Sequence, residues 1–173
     1  MGKLIQQKSV QLIISLFSKE IKFIEKVEKK LIKLFGEEED LTKILPFEYT
    51  NYYLEEFGNN LKRKLICFKK LVNKEEICEI KLKTNKIEDY FKIKNKRIVN
   101  IDPGYITEAK LVLLTTKDYT HRIYIGKKIF ADPTLFFQNK SFRSWPWTYP
   151  DYASLEMINY FNEVREMYVK KIS

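Results

Sequence analysis

The sequence predicts an α+β fold, a ferredoxin-like split β-α-β sandwich with an added C-terminal β-hairpin and a terminal helix. Three observations predict it. Short apolar runs rich in β-formers alternate with helical patterns in the order strand, helix, strand, strand, helix, strand. Two of those patterns carry an apolar stripe along a single helical face. A Gly-Lys turn between two further β-like runs, followed by a last amphipathic pattern, supplies the extension. With 173 residues, 45% of them hydrophobic, the chain is long enough to fold as one domain over residues 1–173 with a core of its own.

Val10–Phe17, V-Q-L-I-I-S-L-F, reads as a buried first strand. Ser18 is placed to cap the helix that follows. Ile24, Val27, Leu31 and Leu34 share one helical face, lysines and Glu25 fill the other, and Gly36 ends the helix. After an acidic turn at Glu37–Asp40, Pro46 marks an edge strand or a bent one. Tyr49, Tyr52, Tyr53 and Phe57 form a dense aromatic group, suited to base stacking or to a small core under a loop. Gly58-Asn59-Asn60 turns the chain into the strand Leu61–Phe68. Asn73-Lys74-Glu75-Glu76 has capping-box form and opens a helix through Ile77, Ile80, Thr84, Ile87 and Phe91. Arg97–Ile101 is a short strand that delivers Asp102.

Beyond this unit, Thr107 is placed to cap a short helix over Glu108–Leu114, favoured by its Ala, Lys and Leu content, although Leu111–Leu114 would also suit a strand. His121–Ile125 and Lys128–Phe137 flank Gly126-Lys127 as a hairpin. Ser141–Tyr152 is a loop rich in Pro and aromatics. Ser154 caps a last helix whose Met157, Tyr160, Phe161, Val164 and Tyr168 share a face.

The chain holds 32 Lys+Arg against 23 Asp+Glu, a net charge of +9. That balance suits polyanionic partners such as a nucleotide or RNA, while lysines interleaved with glutamates also describe an ordinary solvated surface. Cys67 and Cys78 form no C-x-x-C, and one histidine completes no common structural zinc set, so both read as reduced thiols of a cytoplasmic protein and no metal site is assigned. No apolar run approaches the roughly 20 residues of a membrane span, and the N-terminal run is too short for a signal peptide, so no membrane partner is expected. Oligomeric state and cofactor stay open.

The chemistry-bearing residues gather between Arg97 and Gly126. Asp102 stands beside a rigid corner, Pro103-Gly104-Tyr105, where a carboxylate suits base or metal work or simply an Asx turn. His121, the only histidine, brings an imidazole suited to proton transfer and precedes Arg122, an anion-binding fork. Strand alternation would point those two to opposite faces unless the strand is bulged or the site lies at its end. Thr115-Thr116-Lys117-Asp118 offers hydroxyls and an ammonium for a phosphate, with Asp118 placed to orient Lys117 or His121; a charged turn closing a helix is the alternative. Trp147, in the loop Trp145–Tyr152, offers a flat face to a base, a partner or a second subunit, or closes the core as a lid. The phosphate-cradling G-x-x-x-x-G-K-[ST] and the G-x-G-x-x-G, G-x-S-x-G and H-E-x-x-H motifs do not occur.

N-I-D-P-G-Y (Asn100–Tyr105), T-T-K-D-Y-T-H-R-I-Y (Thr115–Tyr124), P-W-T-Y-P-D-Y (Pro146–Tyr152) and P-F-E-Y-T-N-Y-Y (Pro46–Tyr53) together resemble the hallmarks of a bacterial family catalogued as domain of unknown function 4416. The resemblance spans nearly the whole chain. It implies a cytoplasmic prokaryotic protein and brings no catalytic residues. Some members carry a GTP-binding label. Here Thr116-Lys117-Asp118 sets its Asp one position early for the guanine-reading motif, Asp102-Pro103-Gly104 misses the D-x-x-G spacing, and no P-loop exists.

These residues lead to one expectation and two alternatives. The first is a domain that binds a phosphorylated ligand, a nucleotide or RNA, near Asp102–Arg122. Lys117 and Arg122 would hold phosphate. Tyr105, Thr115, Thr116, Asp118 and Trp147 would add contacts, and Asp102 or His121 would be the acid or base if there is turnover. The second is a small hydrolase or transferase using Asp102 and His121, with or without a divalent metal. The third is an interaction module built on Trp145–Tyr152.

Overall fold

The computed structural model describes residues 6–41, 43–47 and 57–173. Its elements are β1 (Val10–Ser18), α1 (Ile21–Phe35), β2 (Lys43–Phe47), β3 (Leu61–Val72), α2 (Ile77–Tyr90), β4 (Val99–Ile106), β5 (Lys110–Thr115), β6 (Ile123–Gly126), β7 (Ile129–Gln138), β8 (Ser141–Ser144) and α3 (Leu155–Ile172). The eight strands form one antiparallel sheet in the order β2-β3-β1-β4-β5-β7-β6. β6 and β8 share the outer edge of β7: β6 pairs with Ile129–Ala131 and β8 with Leu135–Gln138. No helix among the described residues is long and apolar enough to cross a membrane.

Side chains alternate across a strand, and β1 shows the result. Leu12, Ile14 and Leu16 enter a core with α1 and α2, while Ile13 enters a second core under α3. The sheet is therefore covered by two helices on one face and one on the other. α1 buries Ile24, Val27, Leu31 and Phe35. Leu34, expected in that stripe, is 49% exposed, because the helical period carries the buried stripe on from Leu31 to Phe35 four residues later. Gly36 closes the helix at φ 95° as expected. Ser18 is not the cap: it is the last residue of β1, Glu20 takes the cap position, and the Ser18 hydroxyl donates to the Ile98 carbonyl at 2.7 Å.

Pro46 lies in β2, at the edge of the sheet, where a missing N–H costs no ladder bond. Phe57 packs edge-on against Phe17 at 5.2 Å; Tyr49, Tyr52 and Tyr53 lie outside the described residues. Asn73 accepts the Glu75 N–H at 3.1 Å and starts a turn of 3-10 helix, Lys74–Glu76, that runs into α2. Ser154 accepts the Met157 N–H and caps α3, whose five expected face residues are all buried.

The expected helix over Glu108–Leu114 is strand β5. The Thr107 hydroxyl accepts the N–H groups of Ala109 and Lys110 at 3.2 Å each, and the chain reverses onto β4. Leu111–Leu114 are buried one after another. A strand covered on both faces shows such an unbroken apolar run, and its pairing with β4 and β7 outweighs local helix propensity.

The expected corner at Asp102-Pro103-Gly104 is straight backbone inside β4. The Ile101 N–H and carbonyl are bonded to α2 side chains, away from β1. Two residues on, Pro103 presents its missing N–H to that same side, where the β5 ladder has not begun; it starts at Gly104. Gly104 is needed there for space. A Cβ would sit 2.6 Å from the Val112 carbonyl oxygen and 2.8 Å from Leu113 Cδ2.

Candidate functional site

Asp132 organises the outer end of the sheet. It lies in β7 and is 4% exposed. One carboxylate oxygen accepts the Arg122 Nε–H at 2.9 Å, and the other lies 3.4 Å from His121 Nε2. His121 and Arg122 were expected on opposite faces of a strand. They stand in the turn before β6 instead, so both reach the same carboxylate. Arg122 also donates to the Lys117 carbonyl and to the Tyr149 hydroxyl, both at 3.1 Å. Burial works against its charge; the Asp132 carboxylate and the Tyr149 hydroxyl outweigh this and raise its pKa.

The loop after β8 closes over this centre. Pro133 sits in the gap between β6 and β8. Its carbonyl accepts the Trp147 indole N–H at 2.9 Å, and the Thr134 carbonyl accepts the Thr148 hydroxyl at 2.6 Å. Trp147 stacks on His121 (centroids 5.1 Å, 13°) and on Trp145 (5.1 Å, 8°), while Tyr119 meets His121 edge-on. The loop then crosses to β3, where Asp151 and Arg63 form an ion pair with side chains each 7% exposed. Tyr152 is buried, and that burial raises its pKa, with Arg63, Asp151 and Asp102 close enough to act on it. Most of this loop's bonds run inward; Trp147 at 39% and Tyr149 at 45% exposure are its open rings.

Asp102 belongs to a second polar group. Lys81 and Glu88 lie seven residues apart in α2, two turns along one flank of its buried stripe. Both reach β4 where β5 leaves it open: Lys81 Nζ donates to the Ile101 carbonyl at 3.1 Å, and Glu88 Oε1 accepts the Ile101 N–H at 2.5 Å. Lys81 Nζ also lies 3.6 Å from Asp102 Oδ1. Asn100 donates to Asp102 Oδ2 at 2.5 Å and accepts from Arg97 at 3.1 Å. Burial raises the Glu88 pKa, against the opposing charge of Lys81. Asp102 itself is one-third exposed.

Register places these groups on one face of the sheet. Directly paired residues of antiparallel strands project to the same side. Ser15 pairs with Asp102, Gly104 with Leu113, and Leu113 with Asp132. Asp102, Leu113, Thr115 and Asp132 therefore share the α3 side. α3 starts only at Leu155, and at this end the face meets the Trp145–Tyr152 loop in place of a helix. From Asp102 to Asp132 is two strand spacings across, about 10 Å, and one pleat repeat along, about 7 Å.

Of the sequence-predicted residues, Asp102, Thr115, His121, Arg122 and Trp147 border this face. Asp102 and His121 have separate partners, and it is Asp132, not Asp118, that holds His121. Tyr105 is half-buried against the core on the α1/α2 side, since an odd step along β4 turns it away from Asp102. Thr116, Lys117 and Asp118 form an exposed bend after β5 rather than a helix end; the Thr115 hydroxyl accepts the Lys117 N–H at 3.2 Å. Asp132, Lys81, Glu88 and the Arg63–Asp151 pair escaped sequence reasoning. Two signals were present: Asp132-Pro133 repeats the Asp102-Pro103 dipeptide, and Lys81 and Glu88 stand at heptad spacing beside an apolar stripe.

Cys67 and Cys78 are both free, and burial pushes the Cys67 thiol up to about 12. Among the described residues no group of three or more His, Cys, Asp or Glu side chains is arranged to hold a metal ion. Neither a curated protein nor a solved structure matches the chain. One family model does, described as Domain of unknown function (DUF4416), over residues 8–168. With that model covering all of the sheet and most of α3, the chain belongs to the domain of unknown function 4416 family.

Proposed function

We propose that the chain binds a phosphorylated ligand, a nucleotide or a short RNA segment, over the sheet face between Asp102 and the turn Thr116–Arg122. The observation that carries this reading is the alignment of Asp102, Thr115 and Asp132 on one face, bordered by His121, Arg122 and two exposed rings, Tyr119 and Tyr149. Arg122 spends three of its five N–H groups on the protein, so one on each terminal nitrogen remains for a phosphate oxygen. Exposed Lys117 adds a second positive charge. Tyr119 and Tyr149 supply the stacking faces, since Trp147 is already stacked on His121 and Trp145.

Titration calorimetry with ATP, GTP, UMP and an RNA hexamer tests the reading. Lys117→Ala and Arg122→Ala each weaken binding, most strongly at low salt. Absence of binding heat from every probe, or an unchanged affinity in both variants, removes it.

The His121–Asp132 contact favours a second reading, acid/base turnover of such a ligand by a hydrolase or transferase. Asp132 would orient the imidazole, in the place first given to Asp118. A phosphate-release assay on the same nucleotides decides it: activity lost in His121→Gln supports it, and equal release by wild type and variant sinks it.

We read β1–α1–β2–β3–α2–β4 as a ferredoxin-like split β-α-β unit, supported by the strand order β2-β3-β1-β4. β5–β8 and α3 then extend it within a single cytoplasmic domain.

A further inference from the structure

The outer face of α1 carries an unusual charge line. Lys22, Lys26, Lys29 and Lys33 recur at spacings of four, three and four, so at 100° per residue they fall on one strip about 16 Å long, with Lys30 beside it. All five are exposed, on the side of the helix opposite the buried Ile24, Val27, Leu31 and Phe35. The nearby carboxylates do little to neutralise it. Glu28 is paired with Lys64 of β3 and Glu20 with Lys22, at 2.5 Å, which leaves exposed Glu25, one turn before Lys29, as the single carboxylate of α1 beside the other lysines. At the side of this strip stands Tyr90, 73% exposed, its ring propped edge-on by Phe91 at 5.3 Å and carrying the Lys30 ammonium 4.3 Å from its centroid.

We infer that this α1 face, with Tyr90, binds the phosphate backbone of single-stranded nucleic acid. The charges lie in a row and do not converge, so they match a linear polyanion rather than one small phosphate. An exposed ring beside them stacks an unpaired base, which a duplex does not offer. Membrane insertion is disfavoured because the apolar side of α1 is already spent in the core and cannot enter lipid. The surface lies on the opposite side of the sheet from the Asp102–Asp132 face, so the inference does not rest on the reading given above.

Fluorescence anisotropy with a labelled 20-mer of oligouridylate tests it in the full chain. Four lysines outside the Glu20 pair predict a log–log salt slope of about −3. Lys26→Gln/Lys29→Gln/Lys33→Gln should weaken binding at least tenfold at low salt and reduce the slope by about 2. Tyr90→Ala should weaken binding about fivefold or more at every salt concentration and leave the slope unchanged. These are solvent-exposed changes, and far-UV circular dichroism verifies that each variant is folded. The inference is overturned if the triple variant binds within twofold of wild type. It is overturned equally if a duplex binds as well as the single strand without regard to Tyr90, or if vesicles containing phosphatidylserine displace the RNA from wild type and bind the triple variant poorly. Loss of RNA binding in Lys117→Ala, with full binding in the triple variant, would assign the RNA to the other face and end the proposal.

Discussion

Lys81 Nζ lies 3.6 Å from Asp102 Oδ1, although Lys81 belongs to a helix on one face of the sheet and Asp102 points from the other. The contact is made through the stretch of β4 that β5 leaves open. There Lys81 and Glu88 supply the hydrogen bonds that a neighbouring strand would otherwise make to Ile101. A buried backbone group without a partner costs as much as a lost hydrogen bond, so the two α2 side chains are what allow the sheet to stay open at Asp102.

Lys81→Met should therefore destabilise the fold by about 1–3 kcal/mol, the cost of leaving the Ile101 carbonyl without its donor. Urea unfolding measures it. Equal midpoints for wild type and variant would show that the lysine contributes nothing to this opening.

Glu88 should make stability fall as pH rises. Its carboxyl titrates above the usual 4.5 in the folded chain, chiefly through burial. Between 4.5 and that raised value the folded state holds more protons than the unfolded one, so unfolding free energy declines with pH across this window. Glu88→Gln keeps an acceptor for the Ile101 N–H and removes the titration. Thermal melts from pH 4 to 8 should show the variant gaining on wild type as pH increases. A constant difference between the two refutes the assignment.

Gly104→Ala should cost about 1–3 kcal/mol or more, because the new methyl meets the Val112 backbone oxygen, which cannot swing aside. At this chain length that corresponds to a fall in Tm of several degrees. An unchanged Tm would mean that β4 and β5 separate easily.

The Arg63–Asp151 pair anchors the far end of the Trp145–Tyr152 loop. Removing either partner alone, as Arg63→Met or Asp151→Leu, should cost about 3–5 kcal/mol, since a buried charge is left unpaired. The double variant should recover much of that loss. Additive losses in a double-mutant cycle would rule out direct coupling.

Asp132→Ala should release Arg122 and His121 together. The His121–Trp147–Trp145 stack should loosen, and near-UV circular dichroism should lose intensity while the far-UV signal of the helices is kept. Retention of the full near-UV spectrum would show that the aromatic stack holds the turn without the carboxylate.

Short-range pattern was enough for much of this chain. Leu34 aside, the helical faces of α1, α2 and α3, the cap at Ser154, the stop at Gly36, the edge position of Pro46 and the hairpin around Gly126 follow from spacings of a few residues, which the sequence displays directly. The same local reasoning misplaced Glu108–Leu114 and the Asp102-Pro103-Gly104 segment. A run of leucines is compatible with a helix until strands lie on both sides of it, and a Pro-Gly pair suggests a corner until an open strand edge accommodates the proline. The site was legible only as a list of reactive residue types. Which of them meet depends on register between distant strands. Register placed Asp132 in reach of His121 and Arg122, turned Tyr105 away, and let Lys81 pass beside β4 to Asp102. Side-chain period is a property of consecutive residues and is written in the chain; the pairing of residues 19 to 88 positions apart comes from the packing of the whole sheet, which no short stretch of sequence contains.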